Sequence, residues 1–197
     1  MKKIFLVIIL LALSKALNAQ ISNSQVQGIA FGYYNDKFGS HGMRAGYETA
    51  VWQNFRGDNE SASLRHAFIL KANINFYNHR RHHKGLSLNI SIGYRYTSKG
   101  GIIIEPLHIG TGYMHSFLNG KTYQSNKDEE FNQVRFAGNS SFIMPYLQLI
   151  GLGYDLRQKT NLPLSFMVSL DPYFQYSFNA ERKLRLATPI TMTYFVK

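Results

Sequence analysis

An export-type start followed by eight segments that alternate apolar and polar residues constrains this chain more than any single motif. Met1-Lys2-Lys3 forms a positive n-region, Ile4 to Leu13 an unbroken apolar stretch, and Leu17-Asn18-Ala19 a cleavage site leaving Gln20 as the new terminus. The apolar stretch is much shorter than the ~20 residues a membrane-spanning helix needs. Residues 1–19 are therefore expected to be a signal peptide and residues 20–197 a single domain. The chain has no cysteine, which excludes a lipoprotein anchor and a disulfide framework together.

The alternation predicts strands over roughly 26–35, 42–53, 63–77, 86–98, 101–117, 141–156, 162–178 and 184–196. The third is the clearest. Leu64, His66, Phe68, Leu70, Ala72, Ile74 and Phe76 share one face, with Arg65, Ala67, Ile69, Lys71, Asn73 and Asn75 on the other. In the fourth, Leu86, Leu88, Ile90, Ile92, Tyr94 and Tyr96 oppose Ser87, Asn89, Ser91, Gly93, Arg95 and Thr97. The seventh sets Leu164, Phe166, Val168, Leu170, Phe174 and Tyr176 against Ser165, Ser169, Asp171, Gln175 and Ser177. Strands one, two and six alternate less cleanly, and no segment has the spacing of an amphipathic helix.

Two closed sheets suit such a pattern. A soluble barrel buries its apolar face inward, whereas a membrane barrel turns it outward to lipid around a polar interior. The second is favoured. The apolar faces end in aromatics suited to interfacial girdles, the polar faces are rich in Gly, Ser, Asn and Thr, and the strands exceed the ~9–11 residues needed to cross a bilayer at a tilt. The longest link, Leu118 to Ser140, falls on the side opposite both termini, as long outward loops do in such barrels. Asn54 to Ala62, Ser98 to Gly101 and Arg157 to Asn161 are then the periplasmic connections, the first of them long for that role.

The last strand ends Met192-Thr193-Tyr194-Phe195-Val196-Lys197. With the alternation and the export signal, this chain resembles small bacterial outer-membrane β-barrel proteins of the OmpA-transmembrane-domain or OmpX-like size class. Its Lys-Lys start and Ala-Gln cleavage site resemble those of Bacteroidetes-type members. The resemblance covers residues 20–197 and implies adhesins, structural anchors and a few lipid-modifying enzymes.

Charge gives the candidate sites. The signal holds three of the 22 Lys and Arg and none of the 11 Asp and Glu, so the mature chain carries 19 against 11, a surplus of +8. Export removes nucleic acid as the partner, leaving outer-membrane lipid and lipopolysaccharide, or an acidic glycan or other surface ligand. His79, Arg80, Arg81, His82, His83 and Lys84 form the densest cationic cluster, on an outward loop. Arg forks and His that charges near pH 6.5 suit phosphate or acidic glycan there. Asp128-Glu129-Glu130 in the longest loop supplies the opposite sign. Arg44, Glu48, Lys71, Arg95, Asp171 and Arg185 fall on polar faces and are expected to form a salt-bridged lumen network, with an ion path as the sharper alternative. His108 is expected to join it.

A lipid A-modifying hydrolase of the deacylase type is the enzymatic alternative, and a narrow pore the other. The motif sought is His-x-Ser, which puts both side chains on one face. His115-Ser116 comes nearest, but adjacent residues on a strand point to opposite faces. No catalytic residue, metal site or cofactor is assigned. Gly110-Thr111-Gly112 and Gly151-Leu152-Gly153 open no helix and cradle no phosphate; they let a barrel wall bend or an aromatic lie across it.

Overall fold

The computed structural model describes residues 27–36, 40–56, 64–79, 83–118, 122–125, 131–134, 140–160, 162–176 and 182–196. Twelve strands run in chain order: β1 (Gln27–Asp36), β2 (Ser40–Arg56), β3 (Leu64–His79), β4 (His83–Thr97), β5 (Ile102–Leu118), β6 (Thr122–Ser125), β7 (Phe131–Val134), β8 (Ser140–Gln148), β9 (Ile150–Asp155), β10 (Leu164–Tyr176), β11 (Arg182–Ala187) and β12 (Ile190–Val196). One helical turn, α1 (Arg157–Thr160), lies between β9 and β10. β8 and β9 form a single stave interrupted at Leu149, and β11 and β12 another interrupted at Thr188-Pro189. The wall is thus a closed antiparallel barrel of eight staves. Each stave pairs with the next, and β1 closes the ring by pairing with β2 on one side and β12 on the other. β6 and β7 pair only with each other, as a small hairpin within the longest connection.

Among the described residues each stave pairs with both neighbours, as a wall in lipid needs when backbone groups must be satisfied without water; β8 pairs with β5, and its stave meets β10 through β9. The faces are inverted relative to a soluble barrel. On β4, Leu88 (44%), Ile90 (55%) and Ile92 (42%) are exposed, while Ser87 (0%), Asn89 (3%) and Ser91 (2%) are buried. β3 and β12 repeat the pattern, with Phe68, Ile74 and Tyr194 outside and Asn73, Asn75 and Thr193 inside. An apolar exterior around a polar interior is the arrangement of a membrane-spanning barrel. Along β3, His66 and Asn78 bracket the outward residues Phe68, Leu70, Ala72, Ile74 and Phe76. At ~3.3 Å per residue and a tilt of ~40° this apolar row spans roughly 20–25 Å, the height of an outer-membrane hydrocarbon band. At its termini side, His66 hydrogen-bonds Tyr94 and meets the edge of Tyr96, and Trp52 lies against Phe68. These rings form an interfacial girdle.

Strand boundaries follow the sequence expectation within a few residues, and two irregularities explain why some segments read poorly. Register slips between Ala50 and Trp52 of β2, where Val51 is an extra residue opposite β3. The bulge reverses the phase of the strand, so Glu48 and Ala50 face inward while Trp52 faces out. In β5 the pairing with β4 passes from Tyr94↔Leu107 to Tyr96↔Ile104, leaving Glu105 and Pro106 opposite Arg95 alone. A bulge is one of the few places a sheet accepts proline. Its result is that Glu105 and His108, three residues apart, both point into the lumen. The facing stave follows suit: Gln148, opposite His108, and Gly151, opposite Glu105, both face inward across the Leu149 break.

Candidate functional site: a filled lumen beneath a basic rim

Three tiers stand out among the described inward side chains. Nearest the end opposite the termini, Tyr34, Tyr77, Met114, Met144 and Tyr173 pack with Ala187. The Tyr77 ring lies across Gly85, where any Cβ would overlap it, and its hydroxyl reaches Met114 Sδ at 3.9 Å. The Arg44 guanidinium sits 5.3 Å from the Tyr34 ring centroid, joining this tier to the next.

The second tier centres on Asp171. Its carboxylate accepts from Arg44 Nη2 at 2.9 Å, Tyr146 Oη at 2.7 Å and Ser169 Oγ at 2.8 Å. Arg44 Nε also donates to Asn75 Oδ1 at 2.6 Å, and Asn75 Nδ2 to Ser87 Oγ at 2.9 Å.

The third tier centres on Glu105, which is fully buried. Its carboxylate accepts from Arg95 Nε at 2.7 Å, Lys71 Nζ at 2.5 Å and Gln148 Nε2 at 2.7 Å. His108 Nε2 lies 3.2 Å from the same group, its ring over Gly93. Arg95 also grips Glu48 through two bonds, at 2.9 and 2.7 Å, the bidentate geometry that suits arginine. Below this tier Asp155 binds Arg157 (2.6 Å), whose guanidinium covers the Phe195 ring at 3.4 Å.

Arg44, Lys71 and Arg95 are thus balanced by Glu48, Glu105 and Asp171, with partners from different staves. Buried ions must be matched in this way, because an uncompensated charge costs several kcal/mol in low dielectric. Of the residues expected in the lumen, these five (Arg44, Glu48, Lys71, Arg95 and Asp171) and His108 lie there; Arg44 and Glu48, close in sequence, engage different tiers. Arg185 lies opposite the inward Tyr173 in the ladder, and its side chain is outside the described residues. Sequence reasoning missed Glu105, Tyr146 and Gln148. An acid directly before a proline within a strand, Glu105-Pro106, was the signal that a bulge reset the faces.

The basic loop is only partly within the described residues. His79 and His83 pair across β3 and β4, leaving a three-residue connection. The side chains of His79 and His83, the residues Arg80, Arg81 and His82, and Asp128-Glu129-Glu130 lie outside the described residues. Lys84 is exposed on the outer wall. His115 also faces outward and Ser116 inward, so these neighbours do not meet; His115 Nδ1 instead lies 2.6 Å from Ser141 Oγ, directly across β5 and β8. Among the described residues there is no group of His, Cys, Asp and Glu that could hold a metal ion.

No family model and no curated protein sequence matches the chain. Solved structures similar to it include the N-terminal β-barrel domain of Pseudomonas aeruginosa OprF, at 16% identity and a TM-score of 0.46, covering 87% of this chain and 97% of that one. Neisserial surface protein A is 11% identical with a TM-score of 0.47, over 87% of this chain and 96% of that one. The Yersinia pestis outer membrane protein Ail in a phospholipid bilayer nanodisc is 11% identical with a TM-score of 0.43, over 87% and 100%. The fold rests on the strand register and inverted faces rather than on these likenesses.

Proposed function

We propose that the mature chain is an outer-membrane β-barrel of a Gram-negative envelope with a structural or surface-binding role, its outward end contacting lipopolysaccharide or acidic glycans. The carrying observation is the inversion itself: an apolar wall outside, and inside a charge-balanced network crossing from stave to stave. Those ion pairs, with the Tyr and Met tier above them, support a plugged lumen rather than a pore, and leave the outer surface for interaction. The proposal includes an export signal over residues 1–19 and both termini on the periplasmic side. It is supported by the n-region and cleavage pattern and by the 119–139 connection leaving the end opposite Gln27 and Val196. A Bacteroidetes-type origin is part of the same reading and rests on the signal alone.

The test is binding of purified lipopolysaccharide to the wild type and to a variant with His79, Arg80, Arg81, His82, His83 and Lys84 all changed to Ser. The variant should bind roughly tenfold more weakly at low salt, since exposed charge contacts worth ~0–1 kcal/mol each act together. Wild-type binding should fall as salt rises, because exposed charges are screened within ~8 Å at physiological ionic strength. Equal affinity at low salt would leave the loop as a solvated hairpin tip.

The His115–Ser141 hydrogen bond favours a second reading, hydrolysis of lipid acyl esters at the outer wall. A nucleophile and base need a third group to orient the base. Every carboxylate whose side chain is described, Glu48, Glu105, Asp155 and Asp171, is buried inside the barrel, away from His115. Mass spectrometry of lipid A from cells with and without the gene decides between the two. An unchanged acyl pattern is expected; loss of an acyl chain, abolished by Ser141→Ala, would establish the hydrolase.

A further inference from the structure

We propose that the outer wall across β2, β3, β4, β5 and β8 carries a seat for the phosphorylated headgroup of a membrane lipid, built from His41, Lys84 and His115. The inference rests on the membrane-spanning reading and places the contact on the wall rather than at the loop tip.

The register assembles the seat from residues distant in sequence. His41 stands opposite Asn78 and Asn78 opposite Lys84, in one unbroken row of outward side chains. One row nearer the termini, Leu86 stands opposite His115 and His115 opposite Ser141. Directly opposed residues hold their Cβ atoms ~4.5–5.5 Å apart, so the rows form one contiguous strip. The next outward row is apolar: Ala45, Ile74, Leu88, Tyr113 and Ile143. A molecule seated on the strip therefore meets polar donors at one end and a greasy wall immediately below, which matches a phosphate joined to acyl chains.

The strip holds groups that can donate. His41 hydrogen-bonds the Tyr33 hydroxyl through Nδ1, and His115 Nδ1 lies 2.6 Å from Ser141 Oγ. In the tautomer whose Nδ1 accepts from the hydroxyl, Nε2 carries the ring proton and can donate to the ligand. Phe117 packs edge-on against His115 at 4.3 Å and restricts the ring. Lys84, exposed between the two histidines, supplies the fixed positive charge. Among the described side chains, the four carboxylates all lie in the lumen, away from the strip. On the far side of the barrel, β11 presents Leu184 and Leu186 outward.

The experiment places the mature protein in phosphatidylcholine nanodiscs doped with bis-phosphorylated lipid A, or with the same lipid A stripped of its phosphates, and counts retained lipid by native mass spectrometry. Wild type should prefer the phosphorylated form about tenfold. A His41→Gln, Lys84→Gln, His115→Gln variant should lose that preference, Lys84→Gln alone should reduce it several-fold, and Lys84→Arg should keep it. A control at the opposite end of the barrel, Lys159→Gln on the exposed helical turn, should also keep it. Wild-type preference in both Lys84→Gln and the triple variant overturns the seat. So does an equal loss of preference in the Lys159→Gln control, which makes the contact one of general surface charge. Failure of the wild type to insert into nanodiscs refutes instead the membrane-spanning reading beneath the proposal.

Discussion

Replacing Glu105 by Ala should lower the unfolding free energy by ~3–5 kcal/mol, the usual cost of removing one partner from a buried ion pair. Glu105 accepts from Arg95, Lys71 and Gln148 at once, so its loss takes a partner from two cations. Arg95 retains Glu48, whereas the contacts shown for Lys71 then reduce to Gln148 at 3.4 Å. Lys71 therefore bears most of the penalty. Adding Lys71→Met to Glu105→Ala should recover part of it, a coupling that a double-mutant cycle isolates. The measurement is a urea titration of protein refolded into phosphatidylcholine vesicles, followed by the mobility difference between boiled and unboiled samples. A cost below 1 kcal/mol, or strict additivity with Lys71→Met, would show that Glu105 does not anchor the tier.

Ile90→Arg should cost ~2–4 kcal/mol in the same titration, because Ile90 is mid-strand on the outward face and an arginine there meets hydrocarbon at the bilayer midplane. Leu184→Arg, on the outward face near the rim, should cost only ~0–1 kcal/mol. The contrast in depth carries the prediction. Were the barrel solvated by water, both substitutions would fall at exposed positions and change stability by no more than about 0.5 kcal/mol. Equal small effects at the two sites would therefore remove the membrane from the account of this fold.

How much of this was legible beforehand differs from strand to strand. β3, β4 and β10 contain no extra residue of their own, so their side chains keep one alternation that shows in the residues alone, and Lys71, Arg95 and Asp171 could be assigned to the lumen directly. β2 and β5 were harder for a definite reason. An extra residue at Val51 and the Glu105-Pro106 bulge each shift the period by one, and a period-two reading carried through a bulge assigns the following residues to the wrong face. His115 shows the limit at the outer wall. Its neighbour Ser116 is on the wrong face, and its hydroxyl partner, Ser141, follows a connection of more than twenty residues, so no motif spacing could reveal the pair.

The order of polar and apolar residues by itself determined that the chain forms strands, roughly how many, which face of the best of them is oily, and that cations and acids would share an interior. These are local properties: successive side chains alternate sides whatever the strand pairs with. Which charge meets which was decided only by the closed barrel. Arg44 reaches Asp171 across 127 positions and Arg95 reaches Glu48 across 47, while Glu105 enters the lumen through a bulge. Those encounters depend on the stagger of each stave against the next and on the curvature that brings the first and last staves together. Stagger and closure are set by hydrogen bonds between distant segments, and no local pattern encodes them.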